Sequence, residues 1–202
     1  MQLIYSPTSP YARKTRAVVI EKNLQDQVEF LNLSPGDNPK ALLDANALNR
    51  IPTLIRDDGK PLIDSPFICE YLDSLGADAG RLTGHGDAVW EIRHLHAFAD
   101  GIIDSIFAIA MERRRDAGEQ SPAYIQKQLE RIGRGLNTLN GQAAGFSSEP
   151  DLGQFAVGCT LGYMDIRLQN DLDWRATCPN LATWYAAFSK RPAMAETAPP
   201  AP

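Results

Sequence analysis

The chain has 202 residues, of which 44% are hydrophobic, and its formal net charge is -5 at pH 7. This length suits one sizeable domain or two small ones with an ample core. The acidic balance and the short basic runs exclude nucleic acid as an expected partner. We expect no membrane partner and a cytoplasmic location, because Met1-Gln2 leads directly into a strand pattern and no apolar run approaches the roughly 18 residues that span a bilayer.

The cysteine and histidine residues form neither a disulfide pattern nor a metal-binding pattern. Cys69, Cys159 and Cys178 are odd in number and widely spaced, and no Cys-x-x-Cys pair exists. His94 and His96 are two residues apart, so on a helix they point in different directions. We therefore predict no metal site, and we interpret the histidines as ordinary surface or interface residues.

A helix start follows the first predicted strand. Ser9 suits the N-cap and Pro10 suits the first helical position, which predicts a helix over 10–23. No Glu or Gln stands at the third helical position to close a capping box, so the cap hydroxyl and the free N–H groups can face an anion. The alternative is that Ser9 only caps the helix. Three basic residues are predicted on its polar side, Arg13, Lys14 and Arg16.

The first third of the chain alternates strand and helix patterns. A strand over 28–32 is followed by a short helix over 40–46, and a hairpin joins strands over 53–56 and 61–63. Pro52, at a tight strand entrance, is a candidate cis residue. Ser65-Pro66 then starts another helix. The order β-α-β-α-β-β-α predicts a thioredoxin-like α/β domain, a mixed four-stranded sheet whose helix starts can gather at one ligand-binding edge.

The remainder of the chain has helical patterns. A linker over 77–86 precedes a long helix from about 87 to 115 and a second helix from Ser121-Pro122. Asp151 and Gln154 form a capping box at the start of an apolar helix. The Pro-rich tail over 198–202 is not expected to be helical. We therefore predict an N-terminal domain over 1–76 and an all-α C-terminal domain over 87–202.

Three segments together resemble the glutathione S-transferase family, in order and at the family's spacing. Ser9-Pro10-Tyr11-Ala12-Arg13-Lys14 resembles the active-site segment of serine-type members, which in omega-type members carries Cys at the Ser9 place. The segment 46–54, Asn-Ala-Leu-Asn-Arg-Ile-Pro-Thr-Leu, resembles Asn-Pro-x-Gly-Lys-Val-Pro-x-Leu with its cis Pro. The segment 64–72 resembles Glu/Asp-Ser-x-x-Ile-x-x-Tyr-Leu. Two departures are Asn49 for Gly and Arg50 for Lys.

The resemblance implies that glutathione is the co-substrate and that Ser9 donates a hydrogen bond to its thiolate, with Ser6 and Thr8 as rival donors. It also implies a set of glutathione contacts from the N-terminal domain. These are the backbone of Ile51 beside Pro52 for the cysteinyl residue, Ser65 and Asp64 for the γ-glutamyl carboxylate and amine, and Arg50 for the glycyl carboxylate.

The resemblance further implies a homodimer in which an acid from the partner's first C-terminal helix contacts the γ-glutamyl amine. Asp100 resembles that acid, and the alternative is a helix-surface charge. A small hydrophobic electrophile would bind between the domains in a pocket lined by Tyr11, Ile103, Phe107, Met111 and Tyr163.

Three functions fit this resemblance. The first is a transferase, with detoxification as its typical role, and the second is glutathione-dependent isomerisation or peroxide reduction at the same site. The third is a non-catalytic binding protein, which the presence of Ser9, Ile51-Pro52 and Asp64-Ser65 disfavours. A thiol reductase is disfavoured because Ser9 is not Cys and cannot form a mixed disulfide.

Overall fold

A mixed four-stranded sheet forms the N-terminal part of the molecule in the computed structural model, which describes residues 1–200. The strands are β1 (Gln2–Tyr5), β2 (Glu29–Asn32), β3 (Thr53–Ile55) and β4 (Pro61–Ile63), in the order β2-β1-β3-β4. β1 and β2 are parallel, whereas β3 runs antiparallel to both β1 and β4. A helical connection between β1 and β2 is what a parallel pair requires.

Three helices complete this part of the chain: α1 (Pro10–Glu21), α2 (Lys40–Ala45) and α3 (Ser65–Asp73). The predicted order β-α-β-α-β-β-α is confirmed. α1 is two residues shorter than predicted, because Asn23 has left-handed backbone (φ 55°) and Lys22 takes the C-cap position. Asn tolerates that conformation just past a helix end.

The second part of the described chain is helical, as predicted. Its capping box is confirmed: the Asp151 carboxylate accepts from the Gln154 N–H at 2.8 Å, and the Gln154 side-chain oxygen accepts from the Asp151 N–H at 3.3 Å. The helices are α4 (Ala88–Glu112), α5 (Pro122–Gln142), α6 (Leu152–Arg167), α7 (Trp174–Thr177), α8 (Pro179–Phe188) and α9 (Pro192–Ala195).

The Pro-rich tail has no helix over 198–200, while 201 and 202 lie outside the described residues. Between α3 and α4, over 74–87, the chain has no helix or strand. The domain boundaries at 76 and 87 stay predictions.

α6 joins the two parts of the molecule by contributing to both hydrophobic clusters. Phe155 and Cys159 pack with the sheet-side cluster, which includes Leu3, Val18 and Ile68. The next face of α6 packs into the helical cluster with residues of α4 and α5: Ala156, Val157, Leu161, Ile106 and Leu136. The α1 side of the sheet domain is therefore covered by helices from much later in the sequence.

Among helices of residues 1–200, α4 alone is long and apolar enough, by length and composition only, to cross a membrane. The sequence analysis had found no such run. The buried face of α4 accounts for its apolar character, since Ile103, Ile106 and Ile109 are fully buried in the helical cluster.

Candidate functional site

The register of the sheet brings three predicted site segments to one edge. Ile4, near the end of β1, pairs with Thr53 at the start of β3, and Thr53 pairs with Ile63 at the end of β4. The chain therefore leaves β1 toward Ser9, enters β3 from Pro52, and leaves β4 toward Asp64, all at the same edge. Such an edge, where helices begin after strands, is where α/β folds bind ligands.

Ser9 is the N-cap of α1, and its hydroxyl oxygen accepts a hydrogen bond from the Ala12 N–H at 3.2 Å. A hydroxyl has one donor and two acceptor positions, so this bond leaves the Ser9 proton free to donate. The rival hydroxyls of Ser6 and Thr8 lie 3.4 Å apart and pair with each other. Within residues 1–200 the Ser9 hydroxyl donates to no acceptor, so a donor is available at the helix start.

The Ile51–Pro52 peptide is cis, as predicted. Asn46 holds the turn before it: its side-chain amide donates to the Arg50 carbonyl at 3.1 Å and to the Thr53 hydroxyl at 3.0 Å. The Thr53 hydroxyl also donates to the Arg50 carbonyl at 2.8 Å. Within residues 1–200 the N–H and C=O of Ile51 have no hydrogen-bond partner, so both are available to an extended ligand.

Asn49 explains one departure from the family pattern. It has left-handed backbone (φ 51°), which Asn tolerates far better than most residues, so it can replace the usual Gly. Its side-chain amide donates to the Pro35 carbonyl at 2.8 Å and so ties the turn to the preceding loop. Arg50 follows it with an exposed side chain that forms no salt bridge within residues 1–200.

The pair Ser65-Pro66, interpreted like Ser9-Pro10, predicts Ser65 as the N-cap of α3, and the structure places the cap one residue earlier. Asp64, not Ser65, occupies the N-cap position, and Ser65 is the first helical residue and is buried. Asp64 has φ 72° and ψ 123°, a backbone conformation that costs a non-glycine residue about 1 to 3 kcal/mol. Strain of this kind concentrates at functional sites.

Two residues interpreted from the sequence as exposed are buried against Asp100. The Lys14 ammonium forms a salt bridge with the Asp100 carboxylate and lies 2.9 Å from Nε2 of His96. Lys14 is only 1% exposed and His96 is also buried, so the surface interpretation of His96 and the polar-face interpretation of Lys14 were wrong. Helical periodicity placed Lys14 outward, but α4 covers that side of α1.

Burial dominates the electrostatics of this cluster. It raises the pKa of Asp100, Lys14 opposes that rise, and the negative charges of Asp104 and Asp64 add to it. Burial and the Lys14 charge lower the pKa of His96 to about 2, so its ring is neutral. An ammonium offers only donors, so Nε2 of His96 accepts the Lys14 bond.

The predicted electrophile pocket is only partly supported by the geometry. The Tyr11 hydroxyl donates to the Asp104 carboxylate, and Phe107 and Met111 follow Asp104 on the same side of α4 at helical spacing. Tyr163 lines a small cavity with Ser9. Ile103 is fully buried in the helical cluster, so its assignment to an open pocket was wrong.

Arg13 is also buried, contrary to the expected polar face. Its Nη2 donates to the Met194 carbonyl at 3.0 Å, while Nε and Nη1 have no partner within residues 1–200. Gly162 of α6 makes room for this guanidinium, since a Cβ there would overlap Nη1.

The described part of the chain, 1–200, contains no group of three or more His, Cys, Asp or Glu side chains placed to hold a metal ion. Its three cysteines are free and buried. Burial raises the pKa of Cys69 and Cys159, which keeps both thiols protonated and unreactive.

Comparison with known proteins decides the family. The glutathione S-transferase N-terminal domain matches residues 8–75, and the glutathione S-transferase C-terminal domain matches 122–187. The GST-like protein YibF of Escherichia coli is 30% identical over 203 residues, with 99% of each chain covered. The chain belongs to the glutathione S-transferase family.

Solved structures of this family are similar over the whole length. A glutathione S-transferase from Methylobacillus flagellatus, with glutathione bound, is 41% identical with a TM-score of 0.91, over 98% of this chain and 99% of that one. A glutathione transferase family member from Pseudomonas fluorescens, also with bound glutathione, is 35% identical with a TM-score of 0.91, over 98% of both chains.

Within this glutathione S-transferase fold the sequence analysis missed the contact of Asp104 with Tyr11 and the burial of Lys14 against Asp100. The signal for Asp104 was its spacing of four residues from Asp100, which puts both carboxylates on one face of a helix. Lys14 offered no local signal, because its partner stands 86 residues away in the chain.

Proposed function

We propose that this protein is a glutathione transferase that activates the glutathione thiol for attack on a small electrophile. The observation that carries the proposal is the sheet edge at which the Ser9 cap, the Ile51–Pro52 turn and the Asp64-Ser65 helix start meet. A hydroxyl donor, a free backbone segment and a helix start lie at this one edge. An extended anionic tripeptide could bind all three, whereas the fold itself does not need them to be together.

The γ-glutamyl and cysteinyl parts of glutathione would use the cis turn and α3. The free N–H and C=O of Ile51 would pair with the cysteinyl backbone as a short β-ladder. Ser65 and the N–H groups at the start of α3 would hold the γ-glutamyl carboxylate, since helix N-termini favour anions. Asp64 would attract the amine, and the exposed Arg50 would reach the glycyl carboxylate.

Ser9 would raise the thiolate fraction of the bound glutathione. A free thiol has a pKa of about 8.5, so only a few per cent is ionised at neutral pH. A hydrogen bond to a charged acceptor contributes roughly 1.5 to 3 kcal/mol, and the start of α1 adds about 0.3 to 1 kcal/mol. Together they lower the thiol pKa by about two units, at about 1.4 kcal/mol per unit.

A homodimer would complete the site with Asp100 from the partner subunit. Two large apolar side chains, one in the first turn of α3 and one in the first turn of α4, are well exposed: Phe67 at 61% and Trp90 at 66%. Between them Arg93 and Glu70 form a two-bond ion pair at 2.8 Å. An apolar face with a polar pair of this kind is typical of a surface that a second subunit covers.

The electrophile would bind beside Ser9 against Tyr11, Phe107, Met111 and Tyr163. Tyr11 and Met111 are partly exposed, Phe107 is exposed and Tyr163 lies buried behind them, a set of aromatic and thioether side chains that suits a small hydrophobic compound. We infer a cytoplasmic location, which the free cysteines support, because thiols stay reduced in that compartment.

Steady-state conjugation assays test the proposal. The wild type, given glutathione and a panel of small electrophiles, should form thioether products, and Ser9→Ala should lower kcat by about tenfold to a hundredfold, the size of one bond to a charged acceptor. Thr8→Ala is the matched control and should keep near-wild-type activity. Isomerisation or peroxide reduction without conjugation would replace the transferase assignment, and absence of glutathione binding would overturn it.

A further inference from the structure

Lys14 is buried where the fold does not require a charge. It lies on α1, five residues after Ser9, and is one of the largest fully buried side chains. Removing an ammonium from water costs several kcal/mol, and a buried ion pair often stabilises a protein no more than apolar residues of the same volume. The presence of Lys14 therefore calls for a role beyond packing.

The contacts of Lys14 fix the carboxylate of Asp100 in one orientation. Oδ1 of Asp100 binds the ammonium, and Oδ2 lies 3.6 Å from Nε2 of His96, beyond a normal hydrogen bond. Oδ2 thus keeps its acceptor capacity. The Asp100 side chain is 17% exposed, which leaves it accessible to a ligand at the surface.

Lys14 also offsets the charge around Asp100. The carboxylates of Asp64 and Asp104 lie near enough to raise the pKa of Asp100, as burial does, and Lys14 is the cation that opposes them. Without that ammonium, a buried carboxylate beside two others would hold a proton more readily. A protonated Asp100 attracts an amine far less.

We propose that Lys14 is a positioning residue for glutathione: it holds Asp100 of its own chain oriented and ionised, so that this carboxylate can bind the γ-glutamyl amine of the glutathione in the other subunit of the dimer. The inference rests on the proposed function, since it takes glutathione as the ligand and Asp100 as the acid at its amine. It adds a residue of α1 that touches no ligand and acts only through Asp100.

Calorimetric titration with two ligands tests this inference in the full-length protein. The ligands are glutathione and its deamino analogue, glutaryl-cysteinyl-glycine, which lacks only the γ-glutamyl amine. Lys14→Met should raise the Kd for glutathione by about tenfold, the size of one charge-assisted hydrogen bond, and leave the Kd for the analogue unchanged. If Lys14 had a role in packing alone, Lys14→Met would raise the Kd values for both ligands equally, and this result would overturn the inference.

Two further variants keep the test decisive. Asp100→Asn preserves the shape of the side chain and should lose the same preference for glutathione over the analogue. The double variant Lys14→Met/Asp100→Asn should lose no more of this preference than either single variant does. Lys22→Met is the control: Lys22 is another buried lysine, at the C-cap of α1, and the carboxylate it pairs with at 3.2 Å is that of Asp73, not that of Asp100. It should keep the wild-type ratio of the two Kd values.

The outcomes separate this inference from the proposed function. A wild type that binds neither ligand overturns the proposed function. A wild type that binds glutathione better than the analogue, with the same ratio in Lys14→Met, overturns only the role of Lys14. Tighter binding of glutathione by Lys14→Met would mean that the ammonium competes with the amine, and would also overturn it.

Discussion

Ser9 can cap α1 and serve a bound thiolate at the same time. Its oxygen is used by the Ala12 N–H, whereas its proton is not used by the described residues. The two interpretations of Ser9 are therefore compatible, because capping needs an acceptor and thiolate stabilisation needs a donor. Loss of this hydroxyl should affect both the stability of the helix and the ionisation of the ligand.

His96 should make the protein sensitive to mild acid. Its pKa is about 2 in the folded protein and 6.5 in the unfolded chain, so only the unfolded state gains a proton as the pH falls below neutrality. The contribution of His96 to the free energy of unfolding is thus fully present above pH 6.5 and is lost as the pH falls below that value. The groups that face this ring are Lys14 and Asp100, with Glu70 and Arg93 lining the same groove.

The expected loss is about 1 kcal/mol in the free energy of unfolding between about pH 7 and 5.5. Urea denaturation at a series of pH values measures it. His96→Gln keeps an acceptor for Lys14 and should remove this part of the slope, whereas the exposed His94→Gln should retain it. Equal slopes in all three proteins would show that His96 does not bind a proton on unfolding.

Single residues with a local signal were predictable from the sequence, and residues with distant partners were not. The capping box at Asp151 and Gln154 depends on groups three residues apart, so its pattern was enough. The burial of Arg13 and Lys14 depends on α4, α6 and α9, which follow much later in the chain. A basic residue on an amphipathic helix is normally solvated, and nothing near it indicated otherwise.

At the scale of elements, the contact between α1 and α6 depends on a glycine. A methyl group at Gly162 would overlap the Arg13 guanidinium and lie 2.9 Å from the Tyr185 hydroxyl. The guanidinium cannot swing away freely, because Met194 of α9 holds it. The two helices can therefore approach closely because Gly162 of α6 has no side chain.

Gly162→Ala should destabilise the protein by about 1 to 3 kcal/mol, the usual cost of overpacking. Gly133→Ala in α5 is the control, because a methyl there meets nothing within 4 Å. Alanine is the better helix former, so the control should be neutral or more stable by up to about 1 kcal/mol. Thermal unfolding of the wild type and the two variants measures the changes in stability. Equal changes in the two variants would contradict the close contact at Gly162.

Element order and the cis turn followed from the sequence, whereas the exact helix start at Asp64 did not. Ser65-Pro66 is as good a cap signal as Ser9-Pro10, yet the strained backbone of Asp64 moves the helix start by one residue. The strain arises where the chain leaves β4 for the site edge, and short-range propensity does not anticipate it.

At the scale of the molecule, the site lies at the sheet edge, beneath helices that the second half of the chain supplies. α6 packs against both the sheet-side cluster and the helical cluster. α4 places Asp100 and Asp104 against Lys14 and Tyr11 of α1. The family resemblance predicted this arrangement as a whole. The pairings across it, Lys14 with Asp100 and Tyr11 with Asp104, required the structure.

The dimer is expected to form through the exposed side of α3 and α4. Sedimentation of the wild type should give twice the mass of the chain, and Phe67→Asp should give the single-chain mass with weakened glutathione binding. Tyr124→Asp, at an exposed aromatic residue of α5, is the control and should remain dimeric. A monomeric wild type, or a dimeric Phe67→Asp, would contradict this face as the interface.

The pKa of the glutathione thiol in the bound state tests the central claim most directly. Ultraviolet absorbance of the thiolate, followed through a pH titration of the saturated complex, measures it for the wild type and for Ser9→Ala. We expect a pKa about two units below the free value of about 8.5 in the wild type. In Ser9→Ala, which should still bind glutathione, most of that shift should be lost. A wild-type complex with an unshifted thiol, or a variant with the full shift, would contradict the role of Ser9.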